Sequence, residues 1–475
     1  MTAKFAKTKI LATLGPSTDT AEKLQALVDA GCDAFRLNFS HGSNQFFENI
    51  FNLINDLCVI KSVPIPILID LQGPKIRIGE LSQPEISIVK DDFIEITTDT
   101  IEGTKEIIST SYKKLPVDAQ LGETILIDDG LIRLEVKEKK ERSVICKIIA
   151  GGILKPRKGM NLPGMKLTTP SVTEQDFENL QFALKHRVDF IALSFVRESE
   201  DITHLRSWLK EKGFNKPIIA KIEKPEAIRN FESILKEADG IMVARGDLGV
   251  ESTPQLVPVF QKRIINRCNA AGKLVITATQ MIESMISNPI PTRAEASDIA
   301  NAVWDGTDVV MLSGETSVGK YPVEAVKMMN DILLTTEAQT TFNHEIKFDI
   351  PKDLTENLYD SMAHAHKNIS EQVGAAALVI FTHEGRKAKG TAKFRPNATI
   401  FAFSDSFDSC NTLNLYWGIR PLYLENIDNE DEAVENALNI LIKKEYVESG
   451  DLLIFAAGRP HLDKERKSWM RFTIV

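Results

Sequence analysis

Read as a pattern of apolar and polar positions, the chain alternates short β-rich apolar runs with longer stretches of helical spacing. The runs fall at 9–14, 34–39, 65–71, 190–195, 218–222, 241–244, 274–277 and 309–312. Short continuous apolar runs read as buried strands, and the intervening 3.6-residue spacing reads as covering helices. Eight such units are what a (β/α)8 barrel requires, although an open doubly wound sheet produces the same alternation. The polar residues that directly follow the runs favour the barrel. Arg36, Asn38 and Ser40 follow one, Lys221 and Glu223 another, then Arg245 with Asp247, Thr279, and Ser313. In a barrel these positions converge on the C-terminal rim, where active sites of that fold are built.

The pattern breaks between the third and fourth runs. Residues 85–89, 93–96, 124–127, 131–136 and 144–149 alternate apolar and polar side chains with a period of two, as half-buried strands do. An Asp128-Asp129-Gly130 turn separates two of them. A polar stretch near 339–355 marks an exit from the barrel. Beyond it, strands at 375–381, 399–403 and 452–456 with helices between read as another α/β unit. The expected fold class is therefore α/β: a (β/α)8 TIM barrel at 1–71 and 169–340, an inserted all-β lid domain at 72–168, and a C-terminal α/β domain at 355–475.

Composition narrows the function classes. Apolar residues make up 43% and charged residues 26% of the 475, which fits a folded water-exposed protein. A net charge of −9 argues against nucleic acid as a partner and requires any phosphate-binding cations to be gathered locally. No apolar run reaches the length of a membrane span, and no apolar stretch with a cleavage site follows the basic MTAKFAKTKI opening. The five cysteines, Cys32, Cys58, Cys146, Cys268 and Cys410, are scattered and suggest neither disulfides nor zinc. The expected location is cytoplasmic, with no membrane partner.

The chemistry centres on Lys221-Ile-Glu223, whose side chains share a face of one strand, and on Asp247 just past the next strand. Two carboxylates at neighbouring strand ends suit a hard divalent cation, and Lys221 beside them suits a phosphoryl group in transfer. A structural ion pair is the other reading of the motif. Gly246 and Gly249 flank Asp247 and offer backbone amides to an anion, or form a plain loop. Thr279 and Ser313 carry hydroxyls that can relay a proton to a carbon, or cap helices.

These strings closely resemble the pyruvate kinase family. The resemblance rests on Lys9-Ile-Leu-Ala-Thr-Leu-Gly-Pro-Ser, Arg36-Leu-Asn-Phe-Ser-His-Gly, Asp70-Leu-Gln-Gly-Pro-Lys-Ile-Arg and Lys158-Gly-Met-Asn-Leu-Pro-Gly. It continues through Lys221-Ile-Glu, Ala244-Arg-Gly-Asp-Leu-Gly-Val-Glu, Ala278-Thr-Gln-Met-Ile-Glu-Ser-Met, Pro291-Thr-Arg-Ala-Glu and Met311-Leu-Ser-Gly-Glu-Thr. The first 340 residues carry almost all of it. The resemblance implies phosphoryl transfer from phosphoenolpyruvate to ADP, giving pyruvate and ATP, in an allosteric homotetramer that requires Mg²⁺ or Mn²⁺. It implies Glu223 and Asp247 as metal ligands and Lys221 as the group stabilising the transferring phosphoryl. Arg36, with Arg77, is implied as the phosphate-side contact, and Gly246, Asp247 and Thr279 as further substrate contacts. Asn38, His41, Arg77 and Lys158 fall on the nucleotide side, and Thr279 and Ser313 on the path of enolate protonation.

Two departures carry expectations of their own. Family members that require K⁺ hold it with residues matching Asn38, Ser40 and Asp70, followed by a threonine and, further on, a glutamate. Here Leu71 and Lys75 stand at those two places. Lys75 then supplies the positive charge internally, as in the K⁺-independent branch, so K⁺ is not required. In the C-terminal part, Thr382-His-Glu-Gly-Arg-Lys-Ala keeps Thr382 and Gly385 but sets Glu384 against a phosphate. Gly458-Arg-Pro-His-Leu-Asp-Lys-Glu-Arg-Lys lacks the glycine-rich loop of members activated by fructose 1,6-bisphosphate. Weak or absent activation by that sugar follows, with AMP or a sugar monophosphate left open as effector. A metal-dependent aldolase or lyase on the same barrel, and a degenerate paralogue acting as a metabolite sensor, are the competing readings. Arg293 resembles a subunit-contact position, or makes a surface salt bridge. His364 and His366, two apart on a helix, make a poor metal pair.

Overall fold

The computed structural model describes residues 5–339, 348–351, 353–457 and 468–475. Of the sequence expectations, the 458–467 segment, the start of the MTAKFAKTKI opening and most of the barrel-exit stretch lie outside the described residues.

The eight apolar runs form one closed, all-parallel barrel. Its strands are Lys9–Thr13, Ala34–Asn38, Ile67–Asp70, Phe190–Leu193, Ile218–Ile222, Gly240–Ala244, Leu274–Ala278 and Val309–Leu312, paired in chain order with the last closing on the first. Period-two alternation divides each strand between two cores. Leu11, Leu68, Phe190, Ile219, Met242, Ile276 and Met311 fill the barrel interior, while Ile10, Ile69, Ile191, Ile241 and Val310 face the helical ring. Gly240 is required inside, because a Cβ there would lie 2.7 Å from Ile219 Cδ1. Leu415 and Tyr416 from the C-terminal part join the interior cluster, so that part closes the barrel's lower end. Several helix starts carry side-chain caps, among them Thr20 and Ser43, with capping boxes at Thr173 and Thr292, whereas Ser313 caps nothing.

The N-terminal rim repeats one device. Asp33, Asp189, Asp239 and Asp308 each stand immediately before a strand and accept the amide of a neighbouring strand, from Ile10, Ile67, Ile218 and Val275, at 2.8–2.9 Å. Each also meets a cation. Arg420 lies 2.9 Å from Asp33, Arg187 3.7 Å from Asp189, Arg206 2.8 Å from Asp239 and Arg395 2.6 Å from Asp308. Two of these arginines, Arg395 and Arg420, come from the C-terminal part and bind it to the barrel.

Between Ile67–Asp70 and Phe190–Leu193 the chain leaves the barrel and forms a six-stranded sheet and a two-stranded one. Ile94, Ile96, Ile125, Leu134, Val136 and Val144 build a core separate from the barrel's. The expected strands are present. The Asp128-Asp129-Gly130 turn joins Thr124–Ile127 to Ile132–Lys139, with positive φ at all three residues. This insert is not purely β: Leu115–Asp118 forms a helical turn with Pro116 in its first turn. The C-terminal part is a five-stranded sheet flanked by helices. Two of its strands were not anticipated: Ile419–Tyr423, and Trp469–Ile474, which pairs antiparallel at the edge.

Candidate active site

The C-terminal ends of the barrel strands bring together side chains from motifs well separated in sequence. Lys221, near the end of its strand, extends between two carboxylates. Its Nζ is 3.2 Å from Asp70 Oδ1 and 2.9 Å from Glu223 Oε1, and donates to Ser194 Oγ at 2.7 Å. Asp70 also receives Arg36, through Nε at 2.8 Å and Nη2 at 2.7 Å, while Arg36 Nη1 donates to Thr13 Oγ1. Glu223 accepts the Phe195 amide at 2.7 Å. Asp70 and Glu223 are each only 1% exposed.

Burial on this scale disfavours carboxylate charge, and the two acids respond differently. Burial would raise Asp70, but Lys221 and Arg36 outweigh it and hold the carboxyl below its ordinary range. Glu223 is pushed up to about 7 by burial, and Asp247 adds to the rise against the pull of Lys221. Lys221 is held protonated above its ordinary range, because Asp70 and Glu223 outweigh its burial. Glu223 is thus a buried carboxylate short of positive charge, with a second carboxylate near it.

Asp247 sits in the first turn of the Arg245–Glu251 helix, which begins directly at the end of strand Gly240–Ala244. No loop intervenes where one was expected. The Gly246 amide is consequently not free for an anion: it donates to Thr279 Oγ1 at 2.9 Å. Thr279 and Gln280 both have positive φ, 66° and 53°, and Arg245 holds that turn through the Thr279 carbonyl at 2.6 Å. Two consecutive left-handed non-glycine residues at a strand end are backbone strain of the kind that collects at functional sites. Ser313, at the next strand end, has a buried Oγ with no hydrogen-bond partner among the described residues.

On the nucleotide side of the resemblance, His41 is exposed and depressed, by partial burial and then by the charges of Lys75, Arg77 and Arg36. Lys75 is also lowered, by desolvation and by Arg77, with Asp247 and Asp129 opposing. Among the described residues it makes no ion pair with Asp70, whose charge is met by Arg36 and Lys221. Asn38 accepts the Ser40 amide at 3.1 Å, and Leu71 is 1% exposed. Arg77 donates to the Arg157 carbonyl, and Lys158 pairs with Asp128 at 2.8 Å on the insert.

A cavity between barrel and insert is lined by Lys75, Asp129, Asn161, Lys224, Asp247 and Glu251, among others. Asp129, Asn161, Lys224, Glu251 and Ser194 were not singled out from sequence. Lys224 and Glu251 had a signal available, since each lies within four residues of a chosen carboxylate. Among the described residues no group of three or more His, Cys, Asp or Glu side chains is arranged to hold a metal. Two carboxylates of the site, Glu223 and Asp247, could hold a hard cation that takes its remaining ligands from water and substrate oxygens.

The sequence profile described as "Pyruvate kinase, barrel domain" matches residues 5–326, and "Pyruvate kinase, alpha/beta domain" matches 360–471. The chain belongs to the pyruvate kinase family. Pyruvate kinases of Staphylococcus aureus strains MRSA252 and USA300 are 39% identical to it over 471 residues, covering 99% of this chain and 80% of theirs. A solved pyruvate kinase from Cryptosporidium parvum superposes with a TM-score of 0.92 at 36% identity, covering 99% of this chain and 96% of that one. As a member of the pyruvate kinase family, this chain is a phosphoryl-transferring enzyme with the family's barrel and C-terminal α/β domain. No helix among the described residues is long and apolar enough to cross a membrane.

Proposed function

We propose that the enzyme transfers the phosphoryl group of phosphoenolpyruvate to ADP and protonates the enolate to pyruvate. One observation carries this reading: a buried lysine, Lys221, spans Asp70 and Glu223 at adjoining strand ends. Glu223 and Asp247 would hold Mg²⁺ or Mn²⁺, which when bound neutralises charge on the phosphoryl and enolate oxygens. Lys221 and Arg36 supply fixed positive charge where the transferring group spreads its negative charge over three oxygens. Gly246, through its bond to Thr279, keeps the substrate end of the Asp247 helix in place. The unpartnered Ser313 hydroxyl and the Thr279 hydroxyl organise the proton delivered to the enolate carbon. Asn38, His41, Arg77 and Lys158 bind the nucleotide, and the insert, acting as a lid, excludes water that would otherwise accept the phosphoryl group.

Activity is independent of K⁺ in this reading. The support is that Asp70 already meets two cations, and that Leu71 offers no side-chain oxygen to a third. Activation by fructose 1,6-bisphosphate is weak or absent, since the Thr382 hydroxyl is engaged by the Gly385 amide and Glu384 is exposed beside it. The assembly is a cytoplasmic homotetramer. The deciding assay follows pyruvate against phosphoenolpyruvate with ADP and Mg²⁺, exchanging K⁺ for tetramethylammonium. ADP-dependent turnover that survives the exchange is expected; a large drop would sink the K⁺ reading, and no ADP dependence would sink the function. A strong leftward shift of the substrate curve by fructose 1,6-bisphosphate would overturn the effector reading.

A further inference from the structure

We infer that Glu251 is a positioning residue that couples the seating of the insert to the spacing of Glu223 and Asp247. The inference rests on the reading of those two carboxylates as metal ligands. Glu251 is four residues after Asp247 on the same short helix, hence on the same face. Lys224 directly follows Glu223. The two neighbours form an ion pair at 3.1 Å, and both are buried, 3% and 5% exposed. The pair therefore cross-links, one residue or one helical turn away, the two segments that carry the carboxylates. Lys224 also stands over the Phe195 ring at 5.8 Å, and the Phe195 amide is the one that holds Glu223.

The insert joins at the same atom. Asn161 Nδ2 donates to Glu251 Oε1 at 2.9 Å, and Asn161 belongs to the short strand Met160–Asn161 that pairs with Thr124–Ile127 in the six-stranded sheet. One carboxylate oxygen thus receives the insert from one side and the Glu223 segment from the other. The second oxygen, Oε2, is buried in a residue lining the shared cavity and has no partner among the described residues. A buried carboxylate oxygen without a donor is costly unless a ligand brings one. Displacing the insert breaks the Asn161 bond and leaves Glu251 to Lys224 alone, which changes the geometry of both metal-bearing segments together.

The experiment measures Mn²⁺ binding to the full chain, without substrates, from the electron paramagnetic resonance signal of free Mn²⁺. Amide exchange at residues 159–162 is followed in parallel. In Glu251→Gln the Mn²⁺ dissociation constant is expected to rise about tenfold, the size seen when outer-shell partners of metal ligands are removed. Asn161→Ala, which lies outside the barrel and touches neither carboxylate, is expected to raise it about threefold with faster exchange at the insert. Asn161→Asp sets two carboxylates against each other and is expected to exceed the alanine variant. If Glu251→Gln does not fold, the two Asn161 variants carry the test. Unchanged Mn²⁺ affinity in variants that melt like the wild type overturns the coupling and leaves the assigned activity standing. Wild-type protein that binds no Mn²⁺ overturns the metal reading and this inference with it.

Discussion

The two rims of the barrel are built from the same ingredients and use them differently. At the N-terminal rim four aspartates each take one strand amide and at least one cation, Asp33 taking Lys9 as well as Arg420. At the C-terminal rim two carboxylates share Lys221, one is left short of positive charge, and Ser313 Oγ and Glu251 Oε2 have no partner among the described residues. Positive φ at Phe195, and at Thr279 and Gln280, follows two of the strands there. Below, the unspent capacity among the described residues is donor capacity on Arg187 Nε and Arg395 Nη1, with the buried hydroxyl of Thr8 just before the first strand. Burial of charge is therefore no mark of function by itself, since both rims bury it. An unspent carboxylate oxygen and a lysine shared between two carboxylates distinguish the upper rim, as expected of a site whose remaining partner is a ligand.

That contrast predicts opposite responses to mutation. Lys221→Met should lower turnover by about a thousandfold, roughly 4 kcal/mol in the barrier, because a preorganised charge at the transferring group is lost. Its unfolding free energy should change by no more than about 1 kcal/mol, since Arg36 still holds Asp70 and Glu223 can take up a proton. Urea melts and initial rates on the same preparations decide it. A variant that unfolds while its surviving fraction turns over normally would make the upper rim structural. Asp308→Ala should do the reverse, costing about 3 kcal/mol or more by leaving Arg395 buried without its carboxylate and the Val275 amide without its acceptor. Its kcat should stay within about threefold, because the lesion lies at the far end of the strands from the chemistry.

How much of this was legible beforehand follows from the same contrast. The eight strands were readable because burial on both faces of a parallel strand writes a continuous apolar run. Lys221, Glu223 and Asp247 were readable because charges at the ends of such runs are conspicuous. The lower rim was equally present, in Cys-Asp33-Ala, Val-Asp189-Phe, Ala-Asp239-Gly and Thr-Asp308-Val, yet an aspartate before a strand also reads as a turn residue. Only the structure shows that its acceptor is spent on a strand distant in sequence. Ile419–Tyr423 escaped because Arg420 and Pro421 interrupt its apolar pattern, and the former is there to pair with Asp33. The Gly246 amide looked available because sequence cannot reveal that Thr279 Oγ1 reaches it from another strand. Asn161 escaped for a like reason, since its partner is 90 residues away.

The smallest effect tests how closely the lower rim matches its charges. Asp189 is pushed up to about 6 by burial, with Arg187, the Ile67 amide and Lys216 opposing and Asp408 adding to the rise. Unfolded, the same carboxyl titrates near about 3.9. The folded state therefore holds this proton more readily, so the group's favourable contribution is complete below about pH 4 and is lost as pH rises through about 6. Two units correspond to about 3 kcal/mol, an upper figure because Arg187 is partly exposed to solvent. Asp189→Asn keeps an oxygen for the Ile67 amide and cannot ionise. Between pH 4 and pH 7 its unfolding free energy, relative to wild type, should rise by about 2 kcal/mol, measured in urea at each pH. A difference that stays flat would mean that Arg187 offsets the burial in full. The lower rim would then hold its charges at no net cost, and the surplus acceptor capacity above would be the whole of the difference between the two ends of the barrel.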